Sequence, residues 1–204
     1  YTNLDEKLVV VRSTVPPGTS DNLNCYFMPE FLTEKNFERD FINNKNWVFG
    51  LKGTNQDELF KEKVLELINI SHLQGKIKHN NVNFLLNSEG EMVKLFRNNF
   101  LALKVSFCNE IAEFCRNKNI DYEKVRVQAT DDHRIGSSHS AVPGPDGHYG
   151  YGGTCFPKDT KSLLNEMKKI DMNSYIISSM DERNDNVDRE EADWKNNKGR
   201  SVVD

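Results

Sequence analysis

What the 204-residue sequence lacks narrows its function before any motif is weighed. No apolar run approaches the roughly 20 residues that a membrane-spanning helix needs, and no leader-like segment opens the chain, so neither a membrane nor an export role is expected. The cysteines at 25, 108, 115 and 155 form no close Cys-x-x-Cys pair, which argues against a zinc knuckle or redox dithiol and fits a reducing, cytoplasmic compartment. None of the histidines at 72, 79, 133, 139 and 148 repeats a His-x-x-x-His spacing, so no metal site is expected. Positive charge is not in excess either: 27 lysines and arginines against 31 aspartates and glutamates speak against general affinity for nucleic acid or an anionic membrane. Any anionic ligand must then be met by individually placed cations. A Gly-x-Gly-x-x-Gly turn, which cradles the pyrophosphate of dinucleotides, is also missing.

What is present divides into two textures. Short apolar runs at 7–12, 24–28 and 46–51 read as strands, with a helix over 55–70 carried by Leu59, Val64, Leu65, Leu67 and Ile68, and a weaker strand within 76–86. This alternation predicts part of a doubly wound, parallel α/β sheet, whose ligands sit off the carboxyl ends of the strands. Thr14 and Glu30 fall there. From residue 88 to 118 a single long helix is expected, opening with a Ser88/Glu91 capping box and apolar around most of its circumference. Such a helix extends about 45 Å, more than a domain of this size covers alone, so a partner subunit packed along it is expected. A loop rich in Gly, Pro, Ser and His follows at 131–153, then a helix from about Lys158. The charged stretch 181–200 reads as an exposed helix ending in a linker. The sequence opens on a strand and stops at "GRSVVD", which reads as a piece of something larger.

The chemistry concentrates in "GYGGTCFPKD" at 150–159. Cys155 stands between a glycine-rich loop and a helix whose start is marked by Pro157; free amides, the helix dipole and Lys158 all favour a thiolate there. Glycines at 150, 152 and 153 let a ligand approach the backbone. Asp159, four residues on, is placed to orient a water or carry a proton. A structural cysteine in a turn is the plain alternative. Lys94 and Asn98 share one face of the long helix: either they stabilise an oxyanion, or the lysine acts as a base, or it merely snorkels to solvent. Glu30 and Glu34 form a carboxylate pair suited to acid–base work, although a solvated helix face produces the same spacing.

Read in order, "VVVRSTVPPGT", "MPEFLTE", "EMVKLFRNNFLALKVSFCNE", "DHRIG" and "PGPDGHYGYGGTCFPKD" resemble the UDP-glucose/GDP-mannose dehydrogenase family over about residues 7–185. The resemblance implies oxidation of the C6 alcohol of a nucleotide sugar to a carboxylate, with NAD as cofactor and a covalent thioester on the way. Carried over by position, Cys155 resembles the nucleophile, Lys94 and Asn98 the oxyanion pair, Asp159 and Thr14 the groups that place the hydrolytic water, and Glu34 a base. Glu30, Tyr149, Gly150, Gly152, Gly153 and Phe156 would meet the sugar, and Arg134 would reach the nucleotide sugar of a neighbouring subunit. Thr14, Glu34 and Lys158 would lie near NAD. "CFPKD" is closest to the UDP-glucose branch, making UDP-glucose the expected substrate. Met28 and Lys35 depart from the family's usual asparagine and glycine, and "HSAVPGPDGHYGYGG" is longer than the usual loop.

The implied architecture is α/β. Residues 1–86 would form the second part of a Rossmann-like NAD-binding domain. Residues 87–185 would form a central all-helical domain that dimerises through helix 88–118, and 186–204 a polar linker toward a UDP-binding domain. Two other readings are a non-catalytic remnant that dimerises and binds nucleotide sugar, and an enzyme of the related UDP-N-acetylmannosamine or GDP-mannose type. A cysteine-dependent acyl transferase is disfavoured, because no histidine is marked as the thiol's partner.

Overall fold

The computed structural model describes residues 7–33 and 36–196, which form two compact units, one running to Leu95 and the other from Phe96. The first is built on a four-stranded sheet of β1 (Val10–Val11), β2 (Tyr26–Phe27), β3 (Trp47–Leu51) and β4 (Val82–Leu86), in that spatial order. Helices α1 (Thr19–Asn22), α2 (Phe37–Ile42) and α3 (Asp57–Leu73) lie between the strands in sequence. The pairs β1/β2 and β3/β4 are parallel, as expected, whereas β2 and β3 run antiparallel through one rung, Phe27 opposite Gly50. Alternation of strands and helices does not encode direction; the connections do, and mixed sheets are common.

The core of this unit gathers Tyr26, Trp47, Phe49, Phe60, Val64, Ile68 and Ile77, with the Tyr26 and Phe60 rings stacked at 3.6 Å. Phe60, Val64 and Ile68, spaced by four, are the buried stripe of α3. Leu59, Leu65 and Leu67, part of the pattern that predicted the helix, point to solvent. The helix is right, and Val64 and Ile68 of that pattern lie on its inner face, joined by Phe60; the other three do not, because α3 carries apolar side chains on both sides. Asp57 fixes its start by accepting backbone N–H groups of Gly53 and Thr54 at 2.8 and 3.0 Å.

β4 passes straight into α4 (Asn87–Asn117) with no intervening loop. The capping box anticipated from Ser88 and Glu91 is not formed. The helix begins one residue earlier, Glu89 reaches back to the Leu86 N–H at 2.8 Å, and Glu91 is turned to another segment. Asn87 packs so closely on β3 that a Cβ on Gly50 would lie 2.6 Å from its Oδ1, so position 50 requires glycine.

The second unit is helical: the rest of α4, α5 (Tyr122–Thr130), α6 (Phe156–Lys169), α7 (Ile176–Arg183), a π-helical turn at Asn184–Asp188 and a 3-10 turn at Asp193–Asn196. Ala102, Tyr151 and Met180 form its inner cluster, with Leu103, Val105, Phe156 and Ile177 packed around them. Lys161 on α6 bridges Asp181 and Asp185 at 3.0 and 2.9 Å. The far side of α4 is another matter: Phe96, Phe100, Phe107 and Phe114 are each more than half exposed in the chain by itself, the last three at seven-residue intervals along one side.

The loop 131–153 is tied down at several points. Lys104 holds the carbonyls of Ile135 and Gly136, Tyr122 donates to Ser140 O at 2.7 Å, and Arg126 reaches Ser140 Oγ at 3.2 Å. The charged stretch after 181 also departs from the exposed helix expected of it. Asn184, Arg189 and Trp194 are buried; the Asn184 amide and the Arg189 guanidinium find their partners within the unit. Among the described residues no helix is long and apolar enough to cross a membrane, and no cluster of His, Cys, Asp and Glu is arranged to hold a metal ion.

Candidate active site

Three of the residues singled out by sequence meet in the first unit. Thr14 lies beyond the end of β1 and Glu30 beyond the end of β2, at the carboxyl edge of two parallel neighbours. Lys94, only 5% exposed, sits on α4 and donates to the Glu30 carbonyl at 2.8 Å, with the Glu30 carboxylate at 3.3 Å. The Thr14 hydroxyl donates to that same carboxylate oxygen at 3.3 Å. A buried ammonium is costly unless paired, and here the pairing is supplied, so the snorkelling alternative does not hold. Among the described residues, the other carboxylate oxygen of Glu30 is buried and has no hydrogen-bond partner. Glu34 and Lys35 lie outside the described residues.

Sequence reasoning missed what stands beside this trio. Glu91, fully buried one turn before Lys94, accepts the N–H groups of Gly18 at 2.5 Å and Ser20 at 2.8 Å. It thereby ties down the "VPPG" segment that follows Thr14. Asn87 adds bonds to Asp21 Oδ1 at 2.7 Å and Cys25 O at 2.9 Å. The partners are more than 60 residues apart in sequence, and a local capping rule claimed Glu91 first.

The second unit holds the cysteine. Cys155 is exposed and stands at the N-cap of α6, with Pro157 in the first turn and Thr154 Oγ1 3.8 Å from its sulfur. One helical turn on, the Asp159 N–H donates to the Cys155 carbonyl at 3.0 Å. The Asp159 side chain is 1% exposed; its Oδ2 accepts from Asn98 Nδ2 at 2.5 Å, and Lys158 Nζ lies 3.7 Å from its Oδ1. A buried carboxylate so held has a fixed direction, which a group that orients water or moves a proton requires. Phe156 packs edge-on to Tyr151 at 6.2 Å and tilted to His139 at 5.7 Å. Burial holds the Tyr151 phenol far above its ordinary range, and keeps it neutral. Burial, and then the Lys104 charge, push His139 below its ordinary value.

The remaining candidates are engaged elsewhere. Arg134 is exposed and forks onto Asp132, and Tyr149 is half exposed under the Arg116 guanidinium at 5.6 Å. A Cβ added to Gly153, at φ +72°, would meet no atom within 4 Å. The close approach at Gly150 and Gly152 is made by the chain's own Asn184 and Arg189. A separate cleft of about 620 Å³ lies between α4 and α7, lined by Leu103, Phe107, Ile176, Met180 and Val187 among others, and includes none of the candidate residues.

Residues 88–186, which carry Lys94, Asn98, Cys155 and Asp159, match the family model described as UDP-glucose/GDP-mannose dehydrogenase family, central domain. Through this segment the chain is similar to the UDP-glucose/GDP-mannose dehydrogenase family. It is 31% identical to a UDP-glucose 6-dehydrogenase of Rickettsia typhi, over 85% of this chain and 39% of that protein. To a UDP-glucose 6-dehydrogenase of Pseudomonas aeruginosa it is 30% identical, over 87% of this chain and 40% of that one. A UDP-glucose dehydrogenase structure from Pyrobaculum islandicum superposes with a TM-score of 0.69 at 29% identity, covering 86% of this chain and 41% of its own. The chain thus spans about two fifths of the length of the relatives it matches.

Proposed function

We propose that this chain carries the cysteine-bearing part of an NAD-dependent nucleotide-sugar 6-dehydrogenase acting on the C6 alcohol of UDP-glucose. The observation that supports it most is the exposed thiol at the start of α6, one turn from a buried aspartate held by Asn98, within the segment that matches the family. In this reading Cys155 Sγ adds to the C6 aldehyde of the intermediate; an S–C bond forms and the carbonyl oxygen becomes the thiohemiacetal hydroxyl. Asn98 and Lys94 act as the donors for negative charge developing on that oxygen. The thiohemiacetal would become a thioester only by losing its C6 hydride to an NAD+ held outside the described residues; Asp159 and Thr14 would then orient the water that cleaves the thioester, with Glu34 as its base, releasing the carboxylate and restoring the thiol. Glu30, Tyr149, Gly150, Gly152, Gly153 and Phe156 surround the sugar, and Arg134 serves the partner subunit.

The described residues do not by themselves fit NAD. The sequence has no glycine turn for the pyrophosphate, the Thr14 hydroxyl is engaged by Glu30, and Lys158 stands near Asp159. No step is therefore assigned to them through the cofactor, and turnover by this chain alone is expected to be weak or absent. The phenylalanine stripe on α4 is where a second copy would pack, giving a dimer, and a reducing cytoplasm would preserve the thiol. The chain would be a domain portion spanning the end of the NAD-binding domain (1–86), the helical domain (87–185) and a linker (186–204).

The test is protection of Cys155 from iodoacetamide, read by peptide mass spectrometry. The 6-aldehyde of UDP-glucose should slow its alkylation several-fold more than UDP-glucose does. Equal protection by aldehyde, UDP-glucose and UDP would favour the binding remnant, and no protection by any of them would defeat the proposal. The corresponding aldehydes of GDP-mannose and UDP-N-acetylmannosamine report the sugar.

A further inference from the structure

Two glycines of the "GYGG" segment, Gly150 and Gly152, are explained by the chain itself. Gly150 adopts φ +64°, and a Cβ there would lie 2.5 Å from Asn184 Oδ1 and 2.9 Å from Asp188 Cβ. A Cβ on Gly152 would collide with the guanidinium of Arg189. Both positions are thus closed to any larger residue by two buried polar side chains of the segment that follows α7. Those side chains grip the loop through its backbone. Asn184 donates from Nδ2 to Tyr151 O at 3.0 Å and accepts the Tyr151 N–H on Oδ1 at 2.8 Å, pairing with the peptide as a neighbouring strand would. Asn109 on α4 accepts the Gly150 N–H at 3.1 Å.

Arg189, 4% exposed, is fixed in turn by carboxylates on both sides. Nε and Nη2 donate to the two oxygens of Asp193 at 2.8 and 3.0 Å, and Nη1 donates to Asp146 at 2.8 Å. Asp146 lies in the loop that leads into this segment, so residues 144–148 are anchored through the same guanidinium that covers Gly152. Burial raises the Asp146 carboxyl, but bonds from Arg189 and the His148 N–H outweigh it and leave the group below its ordinary range.

We infer that Asn184 and Arg189 are positioning residues for Cys155: they set the path of residues 150–153, and so the geometry with which the thiol enters α6. The inference rests on the reading of Cys155 as the nucleophile and adds the residues that hold it in place. A buried guanidinium held by three hydrogen bonds to Asp193 and Asp146 acts through the loop it covers rather than by meeting a ligand.

The test needs neither nucleotide sugar nor NAD, so its failure is distinct from failure of the functional proposal. The rate of Cys155 alkylation by iodoacetamide at neutral pH is measured in the full chain for Arg189→Gln, Arg189→Lys, Asn184→Asp and the control Glu113→Gln. The control breaks a neighbouring pair with Arg183 that does not touch the glycines. The buried Cys25, Cys108 and Cys115 serve as internal reporters of unfolding. Arg189→Gln and Asn184→Asp should each slow Cys155 several-fold and speed hydrogen exchange over 148–155, while the buried cysteines stay protected. Arg189→Lys should recover part of the rate, and Glu113→Gln should leave it unchanged.

Unchanged Cys155 reactivity despite faster exchange in the loop would overturn the inference, as would an equal effect of the control. Should Arg189→Gln expose the buried cysteines, Asp146→Asn, which leaves Asp193 on the guanidinium, takes its place. An intermediate slowing supports the inference there, and none overturns it.

Discussion

Replacing Lys94 by methionine keeps most of the buried methylene stem and removes only the ammonium. The perturbation therefore isolates its two contacts, the Glu30 carbonyl at 2.8 Å and the Glu30 carboxylate at 3.3 Å. A hydrogen bond from a charged donor is worth about 1.5 to 3 kcal/mol. The carboxylate is 30% exposed on its side chain, so water screens the ion pair, which adds no more than about 1 kcal/mol. Relief of the desolvation that a buried charge suffers offsets part of this, leaving an expected loss of about 2 to 3 kcal/mol. The two tryptophans supply the assay, since Trp47 lies in the first unit and Trp194 in the second, both buried. In a Trp194→Phe background, urea unfolding followed by Trp47 fluorescence reports the first unit alone. Combining Lys94→Met with Glu30→Gln should show a coupling of about 0.5 to 1 kcal/mol, the carboxylate's share. A loss below about 0.5 kcal/mol, with no coupling, would refute the reasoning: the ammonium would then be solvated, and no buried trio would exist.

Burial, and then the charge of Asp57, push the Tyr26 phenol up to about 12. With the folded value raised, its stabilising contribution is complete below the unfolded value near 10 and is lost as pH rises through 12. About two units at 1.36 kcal/mol each give a loss of about 2 to 3 kcal/mol. Tyr26→Phe should flatten that alkaline limb, and an unchanged limb in a pH-stepped urea series would contradict it. On the exposed side of α4, Phe107→Glu should convert a dimer to a monomer in sedimentation velocity, whereas a wild-type chain already monomeric at micromolar concentration would remove the basis for pairing through that face.

The parts of the fold that a linear pattern encodes were legible. The apolar runs at 7–12, 24–28 and 46–51 each contain a strand, and the long helix is found within one residue of its expected limits. Lys94 and Asn98 could be picked out because their spacing puts them on one face of an apolar helix. Their partners could not, since Glu30 and Asp159 lie more than 60 residues away in opposite directions. Glu91 was misread because two carboxylates compete for the first turn of α4, and only the start of the helix decides that Glu89 takes the local amide. Asn184 and Arg189 were hidden in a stretch so charged that it resembles a solvated helix. Asp146 and Asp193, which neutralise Arg189, stand 43 residues before it and four after.

The direct passage of β4 into α4 leaves no slack between sheet and helix. Each residue advances an α-helix by about 100°, so a single insertion between Leu86 and Asn87 would swing Glu91 and Lys94 away from Gly18, Ser20 and Glu30 together. The chain's tolerance of length changes should therefore be lowest at this joint. Anyone grafting the helical part onto another sheet must carry the last strand with it.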